Sequence, residues 1–502
     1  MSNACAYPFP RVCYEIFVRS FCDSDGDGIG DLNGITSRLD YLQALGIEGI
    51  WLTPVHPSPS YHKYDVTDYY EIDPEYGTLD DYRNLLREAH ARGIRVYMDL
   101  VIHHTSILHR WFEEARCNPE SPYRNYYRWM SDEEIAEMGL EVRELTQDAH
   151  TVNPWHRAAG GKERFFGIFS REMADLNFDN PRTREEVYRI VDFWRNEIGV
   201  DGFRLDAARH IYPIWEDGRN PDFWVEFGLE AEKMKKNTYL IGEVWADAAH
   251  VAPFFKGLTA NFNFALCWKI EDVLLSEDNL NLVSWLQHQR GIFEHVRVDY
   301  VDAIMLSNHD QQRIGSTLSG DKDKMKLAAA ILLTLPGQPY IYYGEELGML
   351  GRKPDPFLRE PFLWGDSRFE TTWKMPRYSR EEKVAPLRNA LCYPSSLFYC
   401  YQNLIRIRNT CRAIGDVNNT GITEVPVDNP GILAYVRRNE TSAFLIVHNL
   451  GRRTQSFSLT ERPEAFVKVL YTSTSRFSIE ENTLQLGRYN SIILELTILE
   501  TQ

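Results

Sequence analysis

Long apolar runs are missing from this 502-residue sequence. A helix that crosses a membrane needs roughly 18 or more apolar residues in succession, and the longest candidate, LAAAILLTLPG, is shorter and ends in a turn. The first residues, MSNACAYPFPRVCYEIF, also have no basic segment followed by an apolar stretch of signal length. We therefore expect a cytoplasmic protein with no membrane partner.

Paired cysteines are missing as well. The eight cysteines show neither CxxC pairs nor the spacing of a metal site. In a chain without an export signal, most of them are expected to be reduced thiols. If the chain were exported, Cys400 and Cys411 could form a disulfide. The cysteines are Cys5, Cys13, Cys22, Cys117, Cys267, Cys392, Cys400 and Cys411.

Positive charge is in deficit. The formal net charge is −17 and the isoelectric point is about 5.4. This balance argues against nucleic acid or an anionic membrane as a partner, because both attract basic surfaces. The composition fits a soluble enzyme with a neutral ligand, and it leaves the oligomeric state open.

Short apolar runs alternate with amphipathic helical patterns along most of the chain. Patterns such as TLDDYRNLLREAHARG end at the glycine expected just past a helix. Eight strands that alternate with helices predict the α/β class and a (β/α)8 TIM barrel. The candidate strands span residues 14–21, 46–54, 95–101, 202–206, 238–243, 259–264, 303–308 and 339–345.

Two segments do not follow this alternation. Residues 105–178 are polar, aromatic and irregular, and so long a structureless loop is implausible, so we expect an inserted domain B after strand 3. After residue 415, alternating strands without helices predict a C-terminal antiparallel β-sandwich over 416–502. The barrel then consists of residues 1–104, with strands 1–3, and 179–415, with strands 4–8.

Three carboxylates each end an apolar run. Asp206 ends GFRLD, Glu243 ends TYLIGE and Asp310 ends AIMLSNHD. Ionisable side chains just past parallel strands lie at the mouth of a β/α barrel, where such enzymes place catalytic groups. A single aspartate there is more often the N-cap of the next helix, but three together indicate one site with glycosidase chemistry.

The neighbours of two carboxylates predict different roles. Arg204 lies two residues before Asp206 and shares its strand face, so the guanidinium keeps Asp206 ionised, as a nucleophile requires; the alternative is a structural ion pair. Glu243 has apolar neighbours, which favour the protonated form of a general acid. A retaining glycosidase uses two such carboxyls about 5 Å apart.

These motifs carry a family resemblance. DLVIHH, GFRLDAARH, GEVW and SNHDQQR are similar, in order and spacing, to the four motifs of the α-amylase family of glycoside hydrolases. MADLNFDNP resembles the version in members intermediate between oligo-1,6-glucosidases and neopullulanases. The resemblance implies Asp206 as nucleophile, Glu243 as general acid/base and Asp310 as transition-state stabiliser. It implies substrate-binding roles for Tyr64, His62, His104, Arg204, His309, Arg209 and His210.

An acidic loop is the second specific signal. In DSDGDGIGDLNG, Asp23, Asp25, Asp27 and Asp31 are spaced much as in an EF-hand, but the twelfth position is Gly34 instead of glutamate. The loop resembles the calcium loop after the first barrel strand in oligoglucosidase-like relatives, which implies one Ca²⁺ and adds the backbone carbonyl of Ile29 as a ligand. A solvated acidic turn is the alternative.

A second calcium site is not expected. Many α-amylases hold calcium with an asparagine in the first motif, whereas this sequence has His103 there. Asp175 would be the partner of this residue in a calcium site, but the imidazole of His103 is a poor ligand for calcium.

The choice of glycosidic bond depends on weaker signals. Ala207 after the nucleophile is similar to α-amylases and favours α-1,4 bonds, whereas oligo-1,6-glucosidases usually have valine there. Lys63 replaces a common glycine beside Tyr64, and residues 351–390 should overhang the site with Trp364 and Trp373 as sugar platforms or core residues.

The function that we expect is an α-amylase-type hydrolase of starch-type glucans or maltodextrins. An exo-acting α-glucosidase or a 4-α-glucanotransferase on the same scaffold is the main alternative. A non-catalytic carbohydrate-binding or transporter-associated relative is a remote one, because such relatives tend to lose a catalytic carboxylate.

Overall fold

The computed structural model describes residues 9–140, 153–158, 161, 163–417, 421–459 and 466–497. Cys5 lies outside the described residues, and the other seven cysteines are free thiols. Among the helices within these ranges, none combines the length and the apolar character that crossing a membrane requires.

The strands confirm all eight predicted barrel strands within a few residues. Their bounds are β1 Cys13–Ile16, β2 Gly49–Leu52, β3 Arg95–Leu100, β4 His104–Ser106, β5 Trp129–Met130, β6 Trp155–Arg157, β7 Arg164–Phe166, β8 Met173–Asp175, β9 Gly202–Leu205, β10 Tyr239–Gly242, β11 Ala260–Phe262, β12 Val301–Met305, β13 Gln338–Tyr342, β14 Gly421–Glu424, β15 Ile432–Arg438, β16 Ala443–Asn449, β17 Gln455–Ser458, β18 Phe466–Thr472, β19 Phe477–Glu480, β20 Thr483–Leu486 and β21 Ser491–Leu496.

The α-helices include α4 (Leu79–Ala91), which lies in the predicted pattern TLDDYRNLLREAHARG. Their bounds are α1 Val18–Phe21, α2 Leu32–Ser37, α3 Leu39–Leu45, α4 Leu79–Ala91, α5 Arg110–Cys117, α6 Asp132–Glu137, α7 Pro181–Asp192, α8 Asn220–Met234, α9 Ala248–Val251, α10 Phe264–Ser276, α11 Leu282–Val296, α12 Ile314–Thr317, α13 Lys322–Thr334, α14 Leu387–Ala390, α15 Leu397–Thr410 and α16 Arg412–Gly415. A π-helical stretch, Phe193–Ile198, continues α7. Short 3-10 turns lie at Arg124–Tyr126, Ala208–His210, Ile214–Arg219, Ala252–Lys256, Glu345–Leu347 and Asp355–Phe357.

Sequence features near the helix ends explain where several helices begin. The Asn180 side chain accepts a hydrogen bond from the backbone of Arg182, and Pro181 occupies the first helical position of α7. The Asp321 side chain likewise accepts from Asp323 and Lys324 at the start of α13. These caps satisfy amide groups that the helix itself leaves without partners.

Eight of the strands form a closed barrel in the order β1-β13-β12-β11-β10-β9-β3-β2. The adjacent pairs β3/β9, β9/β10, β12/β13 and β1/β13 are parallel. Their residues are almost all buried, as expected for parallel strands covered on both faces. The predicted TIM barrel is confirmed.

One predicted strand is too long. The sequence suggested a single strand over 14–21, but β1 ends at Ile16 and residues Val18–Phe21 form the helical turn α1. Both parts are short and mostly buried, so periodicity cannot separate the strand from the turn that follows it. The amide of Ser20 donates to the carbonyl of Phe17 at 3.0 Å, which closes the turn.

Antiparallel sheets follow the barrel. One has the order β14-β15-β16-β21-β18 and the other β17-β20-β19. Their shared core includes Val436, Leu445, Phe457, Leu484 and Leu494, all of them buried. The predicted C-terminal sandwich is confirmed, with three strands, β14, β19 and β20, that the sequence did not predict.

The long irregular segment contains short antiparallel sheets. β4 pairs with β8, and β5, β7 and β6 form a three-stranded sheet. Trp155 and Phe166 lie in a small separate core. The bounds 105–178 of an inserted domain stay a prediction.

The chain divides into two compact units that interleave in sequence. Unit 1 contains residues 1–50, 91–94 and 262–502, and unit 2 contains residues 51–90 and 95–261.

Candidate active site

In unit 2, two predicted catalytic carboxylates follow neighbouring parallel strands. Asp206 follows β9 and Glu243 follows β10, with Gly242 in register with Leu205. The Glu243 amide donates to the carbonyl of Leu205 at 3.1 Å. Both carboxylates therefore leave the same end of the strand pair, where each residue retains a small exposed fraction of 7%.

Arg204 binds both carboxylates. Its Nη1 lies 2.6 Å from Asp206 Oδ1 and 2.8 Å from Asp99 Oδ1, and its Nη2 lies 2.6 Å from Glu243 Oε1. Burial alone would lower the pKa of Arg204, but Asp99 and Glu243, followed by Tyr64 and Asp206, raise it well above its ordinary value. Arg204 is thus a permanent cation shared by three carboxylates.

The surroundings of Glu243 differ from the prediction. The sequence indicated an apolar setting, but Glu243 contacts the Arg204 guanidinium and accepts hydrogen bonds from Trp245 Nε1 at 3.2 Å and from the Ala207 amide at 3.1 Å. The prediction was wrong because Arg204 comes from the neighbouring strand, which the residues adjacent to Glu243 in sequence do not reveal.

Asp99 supports this cluster through its contact with Arg204. It is fully buried and accepts hydrogen bonds from Trp51 Nε1 at 3.2 Å and from the Tyr64 hydroxyl at 3.0 Å. The Arg204 Cζ lies 5.0 Å from the Trp51 ring centroid and 5.7 Å from that of Tyr64. Tyr64 therefore lies beside the guanidinium of Arg204. Trp51 supports Asp99 and Arg204 as well, although the sequence did not predict it as a site residue.

The loop before Tyr64 contains Lys63, which replaces a glycine that is common at this position. Lys63 has a φ of +64°, a conformation that glycine adopts at little cost and that strains other residues. Its Nζ lies 2.8 Å from Asp73 and 2.6 Å from Glu75. His62 Nδ1 accepts a hydrogen bond from the Tyr64 amide at 3.1 Å. The ion pairs with Asp73 and Glu75, of which the Asp73 pair is buried, hold Lys63 where glycine would fit without strain.

His104 is buried beside the other histidine of the first motif. Its Nε2 lies 2.9 Å from the Tyr64 carbonyl oxygen, and its Nδ1 lies 3.0 Å from His103 Nδ1. Burial, followed by His103, lowers the pKa of His104. His103 Nε2 lies 3.2 Å from Asp175 Oδ2. These three residues are close enough to share a metal ion, but two imidazoles and one carboxylate are a poor donor set for calcium.

Arg209 and His210 lie in the turn that follows the proposed nucleophile. Ala207 has a φ of +47° and starts this turn. The Arg209 Nη2 lies 3.4 Å from an oxygen of Asp217, and the buried His210 ring lies 5.6 Å from the Phe169 ring centroid. Their substrate-binding roles stay predictions.

In unit 1, Asp310 lies between two cations. Its Oδ2 is 3.1 Å from His309 Nε2 and its Oδ1 is 2.7 Å from Arg359 Nη2. His309 Nδ1 is 2.7 Å from Glu15 Oε1. Burial opposes the charged form, but Asp310 and Glu15 raise the pKa of His309 to about 10. The Asp310 side chain is one-third exposed, so it is fixed in place and still accessible.

Glu15 and Arg359 were not predicted as site residues. Glu15 lies in β1 inside an apolar run, and only its inward direction distinguishes it. Arg359 lies in the segment 351–390 that was expected to overhang the site, and it contacts Asp310.

Of the proposed platforms, Trp364 is buried and donates to the Phe21 carbonyl at 2.6 Å, so it is a core residue. Trp373 is half-buried.

The acidic loop of unit 1 brings Asp23, Asp25 and Asp27 together, with one carboxylate oxygen of each within 4.8 Å of the others. The Asp23 carboxylate accepts from three loop amides, including that of Gly28 at 2.8 Å. Gly28 has a φ of +92°, which explains glycine at the sharp turn. Three carboxylates in a tight loop are a donor set that fits Ca²⁺.

Asp31, the fourth carboxylate of the loop, has a second role. Its Oδ1 accepts from the Gly34 amide at 2.7 Å and thereby caps α2, and both of its oxygens accept from Ser24. The placement of Asp31 and of the Ile29 carbonyl as ligands stays a prediction.

Comparison with known proteins shows the family. Residues 15–416 match the model of the α-amylase catalytic domain, and residues 432–493 match the C-terminal domain of the α-amylase SusG. The chain belongs to the α-amylase family of glycoside hydrolases and is an enzyme of that type.

Individual relatives agree with this assignment. Alpha-amylase 3 of Dictyoglomus thermophilum is 42% identical over 97% of this chain and 93% of its own length. A 4-alpha-glucanotransferase of Thermotoga neapolitana is 38% identical over 73% of this chain and 79% of its own. The crystal structure of an alpha-amylase from H. orenii superposes with a TM-score of 0.88 at 37% identity, covering 98% of this chain and 100% of that one.

Proposed function

We propose that this enzyme hydrolyses α-1,4-glucosidic bonds of starch-type glucans or maltodextrins with retention of configuration. The observation that carries the proposal is the pairing of Asp206 and Glu243 on one arginine at the ends of adjacent strands. Retaining glycosidases need two such carboxyl groups with different roles. Family membership and the α-amylases among the relatives support the same conclusion.

Asp206 is the nucleophile in this mechanism. Arg204 Nη1 contacts Asp206 Oδ1 at 2.6 Å, and a carboxylate oriented by a cation is suited to attack the anomeric carbon. The attack produces a glycosyl ester and removes one negative charge from the group around Arg204. Arg204 then interacts more strongly with the carboxylates that remain.

Glu243 acts as acid and then as base. It protonates the leaving oxygen while Asp206 still carries its charge, because two nearby carboxylates disfavour simultaneous ionisation. Once Asp206 is esterified, that repulsion disappears and Arg204 favours ionised Glu243. The ionised Glu243 then takes a proton from the attacking water, which releases the sugar with retention.

Asp310 stabilises the transition state without covalent chemistry. His309 and Arg359 hold its carboxylate, and the exposed part of the side chain accepts hydrogen bonds from sugar hydroxyls. These bonds strengthen as the ring distorts, so the loss of Asp310 should reduce turnover more than binding.

Substitutions separate the three roles. We expect Asp206→Asn, Glu243→Gln and Asp310→Asn each to reduce the hydrolysis of maltopentaose by at least about 10³-fold. With an aryl maltoside whose leaving group needs no protonation, Glu243→Gln should still release the aryl group in a first-turnover burst, whereas Asp206→Asn should not. Asp222→Asn, an exposed aspartate of unit 2, is the matched control. A variant that keeps most of the wild-type rate would remove its residue from the mechanism.

Transglycosylation is the second candidate, because a 4-alpha-glucanotransferase is 38% identical to this chain. An exo-acting α-glucosidase would use the same carboxylates. Product lengths from maltopentaose and starch discriminate between them: mixed short maltodextrins support the hydrolase, products longer than the substrate support transfer, and glucose alone supports exo action. Initial release of the β-anomer would contradict retention.

We also propose that the loop 23–31 binds one Ca²⁺ through Asp23, Asp25 and Asp27. The cation would neutralise three carboxylates that otherwise repel one another, and would hold the loop after β1. We expect calorimetry to show one Ca²⁺ per wild-type chain, and Asp25→Asn/Asp27→Asn to abolish this uptake. A double variant that still takes up one Ca²⁺ would contradict the assignment.

We further propose a cytoplasmic location. The free thiols of the buried residues Cys13, Cys22, Cys267 and Cys400 support a reducing compartment. Fractionation of cells that produce the chain from its own gene, followed by immunodetection, tests this proposal.

A further inference from the structure

A cavity lies in unit 1. It has a volume of about 820 Å³ and lies among the start of α13, the start of α15 and the loops after β13. Asp310 is not among its lining residues. The size is typical of sites for small organic molecules, which range from about 300 to 1,000 Å³.

The cavity is basic although the whole chain is acidic. Its lining includes Lys322, Lys326, Arg352 and Lys383, against one acidic residue, Glu346. Lys326 Nζ donates to the Ser395 carbonyl at 2.5 Å and Arg352 Nη2 to the Ser316 carbonyl at 3.2 Å. Within the described ranges, none of the four cations forms an ion pair with a carboxylate. In a chain with a net charge of −17, four such cations create a local attraction for an anion.

Two buried polar atoms in the lining have no partner. Glu346 is fully buried, and its Oε1 accepts from the hydroxyls of Tyr14, at 2.8 Å, and of Tyr41. Its Oε2 has no hydrogen-bond partner among the described residues, and neither has the Oγ of Ser396. Buried polar atoms are nearly always paired, so these two are suited to receive the polar groups of a ligand.

We propose that this cavity binds a phosphorylated sugar, with its phosphate on the lysine and arginine side chains and its hydroxyls on Glu346 and Ser396. Cationic side chains bind phosphate through charge-assisted hydrogen bonds. A neutral sugar would leave the four cations without an anionic partner, and inorganic phosphate would offer no sugar hydroxyls to Glu346 and Ser396. The inference is independent of the proposed function, since it uses no catalytic residue.

Calorimetric titration of the full-length Glu243→Gln variant tests the proposal. Saturating maltopentaose occupies the catalytic site, and the probes are glucose 6-phosphate, glucose, inorganic phosphate and AMP at constant ionic strength. We expect one glucose 6-phosphate per chain, bound at least tenfold more tightly than any other probe. Added Lys322→Ala/Lys383→Ala should weaken this binding at least tenfold, and Ser396→Ala severalfold.

Lys236→Ala/Lys256→Ala, two exposed lysines of unit 2, is the matched control and should leave the affinity unchanged. Melting temperatures of all variants check that each is folded. The proposal is overturned if glucose 6-phosphate does not bind, if glucose, phosphate or AMP binds equally well, or if the control weakens binding as much as Lys322→Ala/Lys383→Ala does.

Discussion

At the residue scale, the organisation of the unit 2 site depends on one buried cation. Arg204 contacts three carboxylates through two nitrogen atoms and lies beside the rings of Trp51 and Tyr64. Without it, Asp99, Asp206 and Glu243 would be buried together with no positive charge. Arg204 therefore permits the carboxylates to be close, and its planar fork sets their directions.

This organisation predicts that lysine cannot replace Arg204. Arg204→Lys keeps the charge but offers a single nitrogen, which cannot bind Asp206 and Glu243 in separate directions. We expect kcat on maltopentaose to fall by about 10²–10³-fold, the range found when a preorganised electrostatic contact is lost. Steady-state kinetics measures this effect.

Arg195→Lys is the control for the loss of a buried arginine in the same unit. Arg195 donates to Thr238 and to the Val200 carbonyl, away from the carboxylates. The Arg195→Lys substitution should lower the melting temperature and leave kcat nearly unchanged. Equal losses of kcat in both variants would mean that Arg204 matters for folding alone.

The pair of Glu15 and His309 predicts a pH dependence of stability. The pKa of His309 is about 10 in the folded chain and about 6.5 when unfolded. A raised folded pKa means that the stabilising contribution is complete below pH 6.5 and is lost as the pH rises from 6.5 to 10. Urea midpoints measured from pH 6 to 10 should fall across this window.

Glu15→Gln removes one of the two carboxylates that stabilise charged His309. The loss of stability should then occur at lower pH than in the wild type. The exposed His295 provides a control, because His295→Gln should keep the wild-type profile. If Glu15→Gln left the pH dependence of stability unchanged, Glu15 would not be a cause of the raised pKa of His309.

The sequence predicted those site residues whose partners lie close to them along the chain. Arg204 and Asp206 are two apart on one strand, so alternation alone places them together. Glu15 and Arg359 could not be found this way, because they contact His309 and Asp310 from nearly 300 and about 50 positions away. The same limitation made the surroundings of Glu243 look apolar.

At the element scale, the turn after β13 contains an unusual pair of buried acids. Glu345 accepts hydrogen bonds from Tyr401 of α15 at 2.7 Å and from Ser307 at 3.3 Å, and Glu346 accepts from Tyr14 and Tyr41. Each acid therefore links this turn to a different part of unit 1. Burial, above all, raises the pKa of Glu345 to about 8.

The raised pKa predicts how stability changes with pH. Folded Glu345 keeps its proton up to about pH 8, whereas the unfolded chain loses it near pH 4.5. The folded state is therefore destabilised as the pH rises from 4.5 to 8. Glu345→Gln, which can make similar hydrogen bonds, should flatten the decline in urea midpoint between pH 5 and 8. Glu480→Gln, at an exposed site, should not, and an equal slope in all three proteins would contradict the prediction.

Elements were predictable where periodicity or a cap is strong. α7 begins at the expected Asn-Pro signal, and the barrel strands are recognisable as short apolar runs. The error at residues 14–21 arose because β1 and α1 have four residues each and are mostly buried, which is too short for their periods to differ visibly. β19 and β20 lie in the three-stranded sheet and have only four residues each, which is too short for a strand pattern to stand out in the sequence.

At the scale of the whole molecule, the C-terminal sheets and part of the barrel belong to one compact unit. Arg437 of β15 donates from Nη1 to the Thr334 carbonyl at the end of α13, at 2.6 Å, and from Nη2 to the Ile414 carbonyl at 3.3 Å. Arg408 of α15 donates to the neighbouring carbonyl of Leu335 at 2.9 Å. Buried arginines thus satisfy the carbonyl groups that the end of a barrel helix leaves unpaired.

These contacts predict that the C-terminal sheets unfold together with the rest of unit 1. Arg437→Met keeps the apolar stem but leaves the carbonyls of Thr334 and Ile414 buried without their donor, which should cost about 3 kcal/mol of unfolding free energy. Urea unfolding followed by tryptophan fluorescence, for which all tryptophans lie at or before Trp373, and by hydrogen exchange of the amides of β15, β16 and β21 should show both signals shifting together to lower urea. Arg438→Met, at the next and exposed position, should change the free energy by less than about 0.5 kcal/mol. If Arg437→Met instead separates the two signals into distinct transitions, the sheets are an independent folding unit, and the arginine contacts do not couple them to the barrel.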